Sequence, residues 1–155
     1  MLKAASQYIP NSRIWTEEID RSKDSKPSYW IDTLRRARRE LSRSTPLRFI
    51  IGSDQALVFQ KWKDFRKILK LAEPLVMVRP PHANRAAVLR AMRALRVWTP
   101  EELKQWGTWI NSGKRLGLSS TEARSLLAQG RGRVYLRKSL PPEVRRYIAK
   151  HNLYS

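Results

Sequence analysis

One run constrains this chain more than any other: Leu47-Arg48-Phe49-Ile50-Ile51, cut off by Gly52 and followed by a helix-period segment. Short apolar runs rich in β-branched and aromatic residues, bounded by glycine, read as strands. After Gly52 a helix is predicted through Phe65, Ile68, Leu69 and Ala72. Pro74 then resets the chain into a second strand, Leu75-Val76-Met77-Val78. Upstream, Arg13-Ile14-Trp15-Thr16-Glu17-Glu18-Ile19 follows a Pro10-Asn11 turn and reads as a third strand. Strands alternating with helices predict an α/β fold, a parallel sheet flanked by helices.

The helical signals are distinct. Met1 to Ser6 reads as a helix with nothing before it to cap its amides. Ser28 is placed to cap a helix running to about Ser42, with Ile31, Leu34, Ala37 and Leu41 on one stripe. Arg35, Arg36, Arg39 and Arg43 then face away. Ala83 to Val97 reads as a helix with Val88, Ala91, Met92 and Leu95 inward. Thr99-Pro100-Glu101-Glu102 is a capping box with proline at the first helical position. Ser119 or Ser120 caps another helix, closed by Gly130, and Pro141-Pro142-Glu143 opens a last one ending near His151. At 155 residues the prior is a single domain, 1–155.

Composition narrows the chemistry. With no cysteine there is no disulfide, thiolate metal site or cysteine nucleophile. His82 and His151 are the only histidines, too few for a multi-histidine metal site, and no protein-held metal is expected. There are 32 Lys and Arg against 13 Asp and Glu, a formal charge of +19, which draws anions. No apolar run approaches the ~18 residues of a membrane-spanning helix, and no signal peptide is evident. A soluble, cytoplasmic protein with an anionic ligand is the expectation.

Four constellations are candidates for a site. Gly52-Ser53-Asp54 stands at the carboxyl end of a strand, where open parallel sheets bind ligands. Gly52 would let a ligand approach the backbone, and Asp54 would accept from a sugar hydroxyl or hold Mg²⁺ through water; equally, Gly52 ends a strand and Asp54 caps a helix. Ser119-Ser120-Thr121, with Arg124 one turn on, combines hydroxyls, helix N-terminal amides and a guanidinium. That set suits an anion, or is an ordinary cap beside a solvated arginine. Trp62, and more weakly Tyr29, are placed to stack on a heteroaromatic ring. The remaining tryptophans are expected in or against the core. Finally, Arg85, Arg90, Arg93 and Arg96 span an arc of about 140° on a helix and could track phosphates, or simply form a solvated face.

Five motifs fall in register with one family. Pro27-Ser28-Tyr29-Trp30-Ile31-Asp32-Thr33-Leu34, Phe49-Ile50-Ile51-Gly52-Ser53-Asp54, Trp62 with Val78-Arg79-Pro80, Ser119-Ser120-Thr121-Glu122-Ala123-Arg124, and the tail Leu140-Pro141-Pro142-Glu143-Val144 through Tyr154 resemble bacterial nicotinate-nucleotide adenylyltransferases. The likeness covers about 1–82 and 117–155. It implies a Rossmann-like nucleotidyltransferase fold and transfer of AMP from ATP to nicotinate mononucleotide in NAD synthesis, with Mg²⁺ accompanying ATP. It further implies that Ser119, Ser120, Thr121 and Arg124 grip ATP phosphates, that Gly52 and Asp54 lie along the nucleotide, and that Trp62, Tyr29 and Thr33 belong to the pyridine-nucleotide side. Trp30 stands where the family usually has threonine. The family's His-x-x-His or His-x-Gly-His motif, which binds ATP phosphates in the transition state, has no counterpart here. The resemblance therefore implies the carboxyl-terminal two-thirds of the fold, with the catalytic histidines absent and this chain inactive by itself. The alternative expectation is a non-enzymatic basic module binding nucleotides or nucleic acid, favoured by the charge of +19.

Overall fold

The computed structural model describes residues 2–22, 27–111, 120–129 and 140–153. In chain order the elements are α1 (Leu2–Ser6), α2 (Glu17–Ser22), α3 (Trp30–Glu40), β1 (Arg48–Gly52), α4 (Ser53–Leu57), a 3₁₀ turn (Phe59–Lys61), α5 (Phe65–Leu71), β2 (Glu73–Met77), α6 (Arg85–Ala94), α7 (Pro100–Trp109), β3 (Ile110–Asn111), α8 (Ser120–Ala128) and α9 (Pro142–Lys150). They divide into two compact units, Glu17–Arg115 and Met1–Thr16 with Leu116–Ser155.

The larger unit is the α/β part. Its sheet has the order β1-β2-β3 and both pairings are parallel. Phe49 stands opposite Pro74, Ile51 opposite Val76, and Val76 opposite Ile110. Phe49, Ile51, Val76 and Ile110 are buried, whereas Ile50, on the opposite side of the pleat, is 73% exposed. Pro74 is tolerated in the middle strand because β3 pairs only with Val76 and Met77, so the missing N–H breaks no bond there.

Ile31 and Leu34 of α3, Ile68 of α5, Val88 and Met92 of α6 and Trp106 of α7 close over the covered face. Phe59 and Trp106 are fully buried and meet edge to face at 5.4 Å. Burying side chains of this size contributes about 1.5–3 kcal/mol each. Arg38 ties the layers together: its guanidinium donates to the Thr45 carbonyl at 2.7 Å and to the Leu71 carbonyl at 2.9 Å. Those groups would otherwise be unpaired ends of α3's exit and α5. In the smaller unit α9 buries Val144 and Ile148, and α1 packs on α9.

The strand expected over 13–19 is not formed. Residues 12–16 have no regular structure and α2 begins at Glu17. Trp15 and Ile19 are exposed, and no described strand pairs with this stretch, so its β-forming residues find no pleated surface to fit. The third strand is instead Ile110–Asn111. α3 ends two residues earlier than expected and is preceded by Tyr29 rather than capped by Ser28. Leu41 leaves the helix in an extended conformation and is exposed, off the stripe formed by Ile31, Leu34 and Ala37. The single helix expected after Gly52 is three short pieces, broken at Val58 and at left-handed Asp64, φ 56°. α6 stops at Ala94, leaving Leu95 partly exposed and Arg96 left-handed at φ 53°. Arg96 thus falls off the predicted arginine stripe.

Candidate functional site

The carboxyl edge of the sheet is built from the loops that leave β1 and β2. Gly52 ends β1 and is followed directly by α4. Its backbone is ordinary, φ −76°. What demands glycine is space: a Cβ would collide with the Asp54 carboxylate and lie 3.0 Å from Cδ of Arg79. Asp54 is exposed in the first turn of α4, and Arg79 is exposed just past β2. A carboxylate and a guanidinium therefore flank the same bare backbone.

Ser53 fixes this arrangement. It is fully buried, accepts from the Arg79 N–H at 2.9 Å and donates to the Arg79 carbonyl at 3.3 Å. One hydroxyl thus clamps the exit of β2 to the exit of β1. Sequence reasoning passed over Ser53 and Arg79; both lay inside the quoted motifs, but nothing in their spacing revealed the clamp.

A second group of residues is aromatic and cationic. Tyr29 immediately precedes α3 and is 38% exposed. Lys63 Nζ lies 4.0 Å from the centroid of its ring, a cation over a π face. Trp62, the residue before Lys63, is half-buried and packs against Phe59 with centroids 4.9 Å apart. Trp62 is therefore part of the wall of the core and part of the surface. Asp64 follows, its carboxylate 3.0 Å from Lys67 and 3.7 Å from Arg35. The hydrogen bond from Lys67 draws the Asp64 pKa below its ordinary value, helped by the charges of Lys67, Arg35 and Lys63. Thr33, one turn into α3 from Tyr29, is buried and donates its hydroxyl to Glu18 Oε1 at 2.7 Å. Trp30 turns toward Phe49, with centroids 5.7 Å apart.

The residues expected to grip phosphates lie in the smaller unit. Ser120 and Thr121 form the first turn of α8, and Arg124 is exposed one turn on. Ser119 lies outside the described residues. Of the arginine stripe, Arg85 is tethered by its Nε to the Ile110 carbonyl at 3.0 Å, while Arg90 and Arg93 are exposed. Of the other tryptophans, Trp98 and Trp106 are buried and Trp30 and Trp109 pack partly buried against the core, as expected, but Trp15 is exposed.

Among the described residues no three His, Cys, Asp or Glu side chains converge on a metal position. Nor is any described helix long and apolar enough to cross a membrane.

No protein-family model matches the chain. It is similar to a probable nicotinate-nucleotide adenylyltransferase of Aeromonas salmonicida, with 33% identity over 159 aligned residues that cover 99% of this chain and 71% of that protein. The Aeromonas hydrophila protein of the same name is 34% identical with the same coverage, and that of Stenotrophomonas maltophilia is 32% identical, covering 99% and 72%. These alignments run through 83–116, where the motif likeness stops.

Proposed function

The chain belongs to the nicotinate-nucleotide adenylyltransferase family, and from that premise we propose that its site serves transfer of the AMP part of ATP to nicotinate mononucleotide, a step of NAD synthesis. One observation carries the reading beyond the family name. Asp54 and Arg79 flank bare backbone at the carboxyl end of a parallel sheet, with exposed Tyr29 and half-buried Trp62 on the neighbouring segments. That edge is where nucleotides bind in open α/β sheets.

In the transfer, a phosphate oxygen of the mononucleotide attacks the α-phosphorus of ATP. A new P–O bond forms, the bond from the α-phosphorus to the bridging oxygen breaks, and pyrophosphate leaves with that electron pair. Little covalent work falls to the protein; positioning and charge neutralisation dominate. In this reading Gly52 admits the nucleotide to the backbone and Asp54 accepts from a ribose hydroxyl. For Ser119, Ser120, Thr121 and Arg124, which belong to the smaller unit, it is the family likeness that supports a phosphate-binding role. Trp62 and Tyr29 present flat faces to the pyridine ring, and Thr33, bonded to Glu18, steadies the helix that follows Tyr29.

Magnesium fits as a companion of ATP. One exposed carboxylate beside a glycine cradle matches an ion held mainly by substrate phosphates and water, with Asp54 reaching it through water. Bound there, it would neutralise phosphate charge. The reading places the chain in the cytoplasm with its ATP. A non-specific attraction of Arg90 and Arg93 for polyanions is proposed beside it, because both are exposed on a chain of charge +19.

Calorimetric titration of the chain with ATP and Mg²⁺, and separately with nicotinate mononucleotide, tests the proposal. Each is expected to bind one to one, with Asp54→Asn weakening ATP by about tenfold, the scale of a hydrogen bond to a charged group. Failure of both ligands to bind would refute it.

A further inference from the structure

The larger unit carries a concavity that takes no part in the proposed transfer. It lies between α5 and α7 and has a volume of about 210 Å³. Leu69, Trp106 and Trp109 supply its apolar walls, and Arg66, Glu102 and Lys70 stand among them. Trp106 and Trp109 meet edge to face, with centroids 5.3 Å apart and planes at 82°. Trp109 is half-buried, which leaves part of its ring open to contact. Trp106 is fully buried, and its indole N–H has no hydrogen-bond partner. A buried donor without an acceptor is unfavourable, and an occupant with an acceptor in reach relieves it.

The charges of the lining do not balance. Arg66 is engaged: its Nε donates to Glu102 Oε1 at 2.9 Å and its Nη2 to the Val97 carbonyl at 3.0 Å. Lys70, in the last turn of α5, is exposed and has no ion-pair partner among the described residues. One uncompensated positive charge therefore stands beside aromatic and aliphatic walls. Such a lining suits a flat ring that bears a single negative group. The volume falls below the ~300–1,000 Å³ of drug-sized sites, which sets the occupant at one or two rings rather than a nucleotide. We propose that the cleft between α5 and α7 binds a small aromatic carboxylate, its ring against Leu69 and Trp109 and its acid group on Lys70. The inference goes beyond AMP transfer, because none of these residues belongs to the site at the sheet edge.

Cinnamate, a flat ring with one acid group, and its neutral isostere cinnamamide are the probes, titrated by calorimetry into the whole chain. Cinnamate is expected to bind one to one, and the amide about fivefold more weakly, the scale of an exposed ion pair. Lys70→Gln is expected to abolish that difference, and Lys70→Arg to keep most of it. Lys104→Gln removes an exposed lysine of α7 outside the lining and is expected to change nothing. Trp109→Ala is expected to weaken both probes by about tenfold. In nitrogen-edited NMR spectra of the wild-type chain, cinnamate is expected to shift the indole signals of Trp106 and Trp109 and leave that of exposed Trp15 in place. Should Trp109→Ala fail to fold, the exposed Lys70 variants and the indole shifts still decide the matter. Absence of cinnamate binding, equal binding of acid and amide, or an acid preference that survives Lys70→Gln would each overturn the assignment and leave the adenylyltransferase reading untouched.

Discussion

At the scale of single residues, glycine 52 is decided by crowding from two side chains. A Cβ there meets the end of the Asp54 side chain and the aliphatic stem of Arg79. Both can rotate away, at about 0.5–1.5 kcal/mol for an off-rotamer side chain. Gly52→Ala is therefore expected to cost little stability, under about 1.5 kcal/mol by chemical denaturation. It should nonetheless lower ATP affinity, because Asp54 and Arg79 must leave the positions that flank the backbone. A variant that unfolds readily, or one with unaltered ATP binding, contradicts that account. The position of Gly52 after an apolar strand was legible in the sequence. The identity of its second neighbour was not, because Arg79 arrives from the next crossover, 27 residues on. The same holds for Tyr29 and Lys63, whose contact depends on how α3 and the start of α5 lie across the sheet.

Among the elements, α7 shows where local chemistry suffices. Thr99 Oγ1 accepts from the Glu102 N–H at 3.2 Å, and Glu102 Oε2 accepts from the Thr99 N–H at 2.9 Å, the reciprocal box read from four residues. The structure adds Arg66, whose Nε donates to Glu102 Oε1 at 2.9 Å and pins α5 to the start of α7. The Arg66 hydrogen bond, then the bond from the Thr99 backbone and the Arg66 charge, hold Glu102 below its ordinary pKa against the opposing effect of burial. A carboxylate depressed in the folded state stabilises the fold above its unfolded pKa, and that contribution is lost as pH falls through the folded value. Wild type should therefore exceed Glu102→Gln in stability near neutral pH, by about 0.5–1 kcal/mol for a pair whose arginine is half exposed. The gap should close in the acid range below the usual glutamate pKa. A pH-independent gap in urea melts would mean that the carboxylate charge contributes nothing. Elements without such local chemistry were harder to read. β3 has two residues and no pattern of its own; it is a strand because Val76 and Met77 lie beside it. Residues 13–16 have the right composition for a strand, yet they form no regular structure.

For the whole molecule, the charge of +19 and the family site make competing claims on the same ligand. ATP is an anion, and any exposed arginine attracts it. The two modes differ in range. A phosphate held by α8 amides and Arg124 depends on directed, charge-assisted bonds, and losing one costs about 1.5–3 kcal/mol. Attraction by Arg90 and Arg93 on α6 is diffuse, and its affinity falls steeply with salt as counterions compete. ATP titrations of wild type, Arg124→Ala and Arg93→Ala at low and physiological salt separate the modes. If the family site dominates, Arg124→Ala weakens ATP by about tenfold or more at both salts, and Arg93→Ala matters only at low salt. Equal affinity in wild type and Arg124→Ala, with loss confined to Arg93→Ala, would assign ATP binding to the basic surface and remove the phosphate role from Ser120, Thr121 and Arg124.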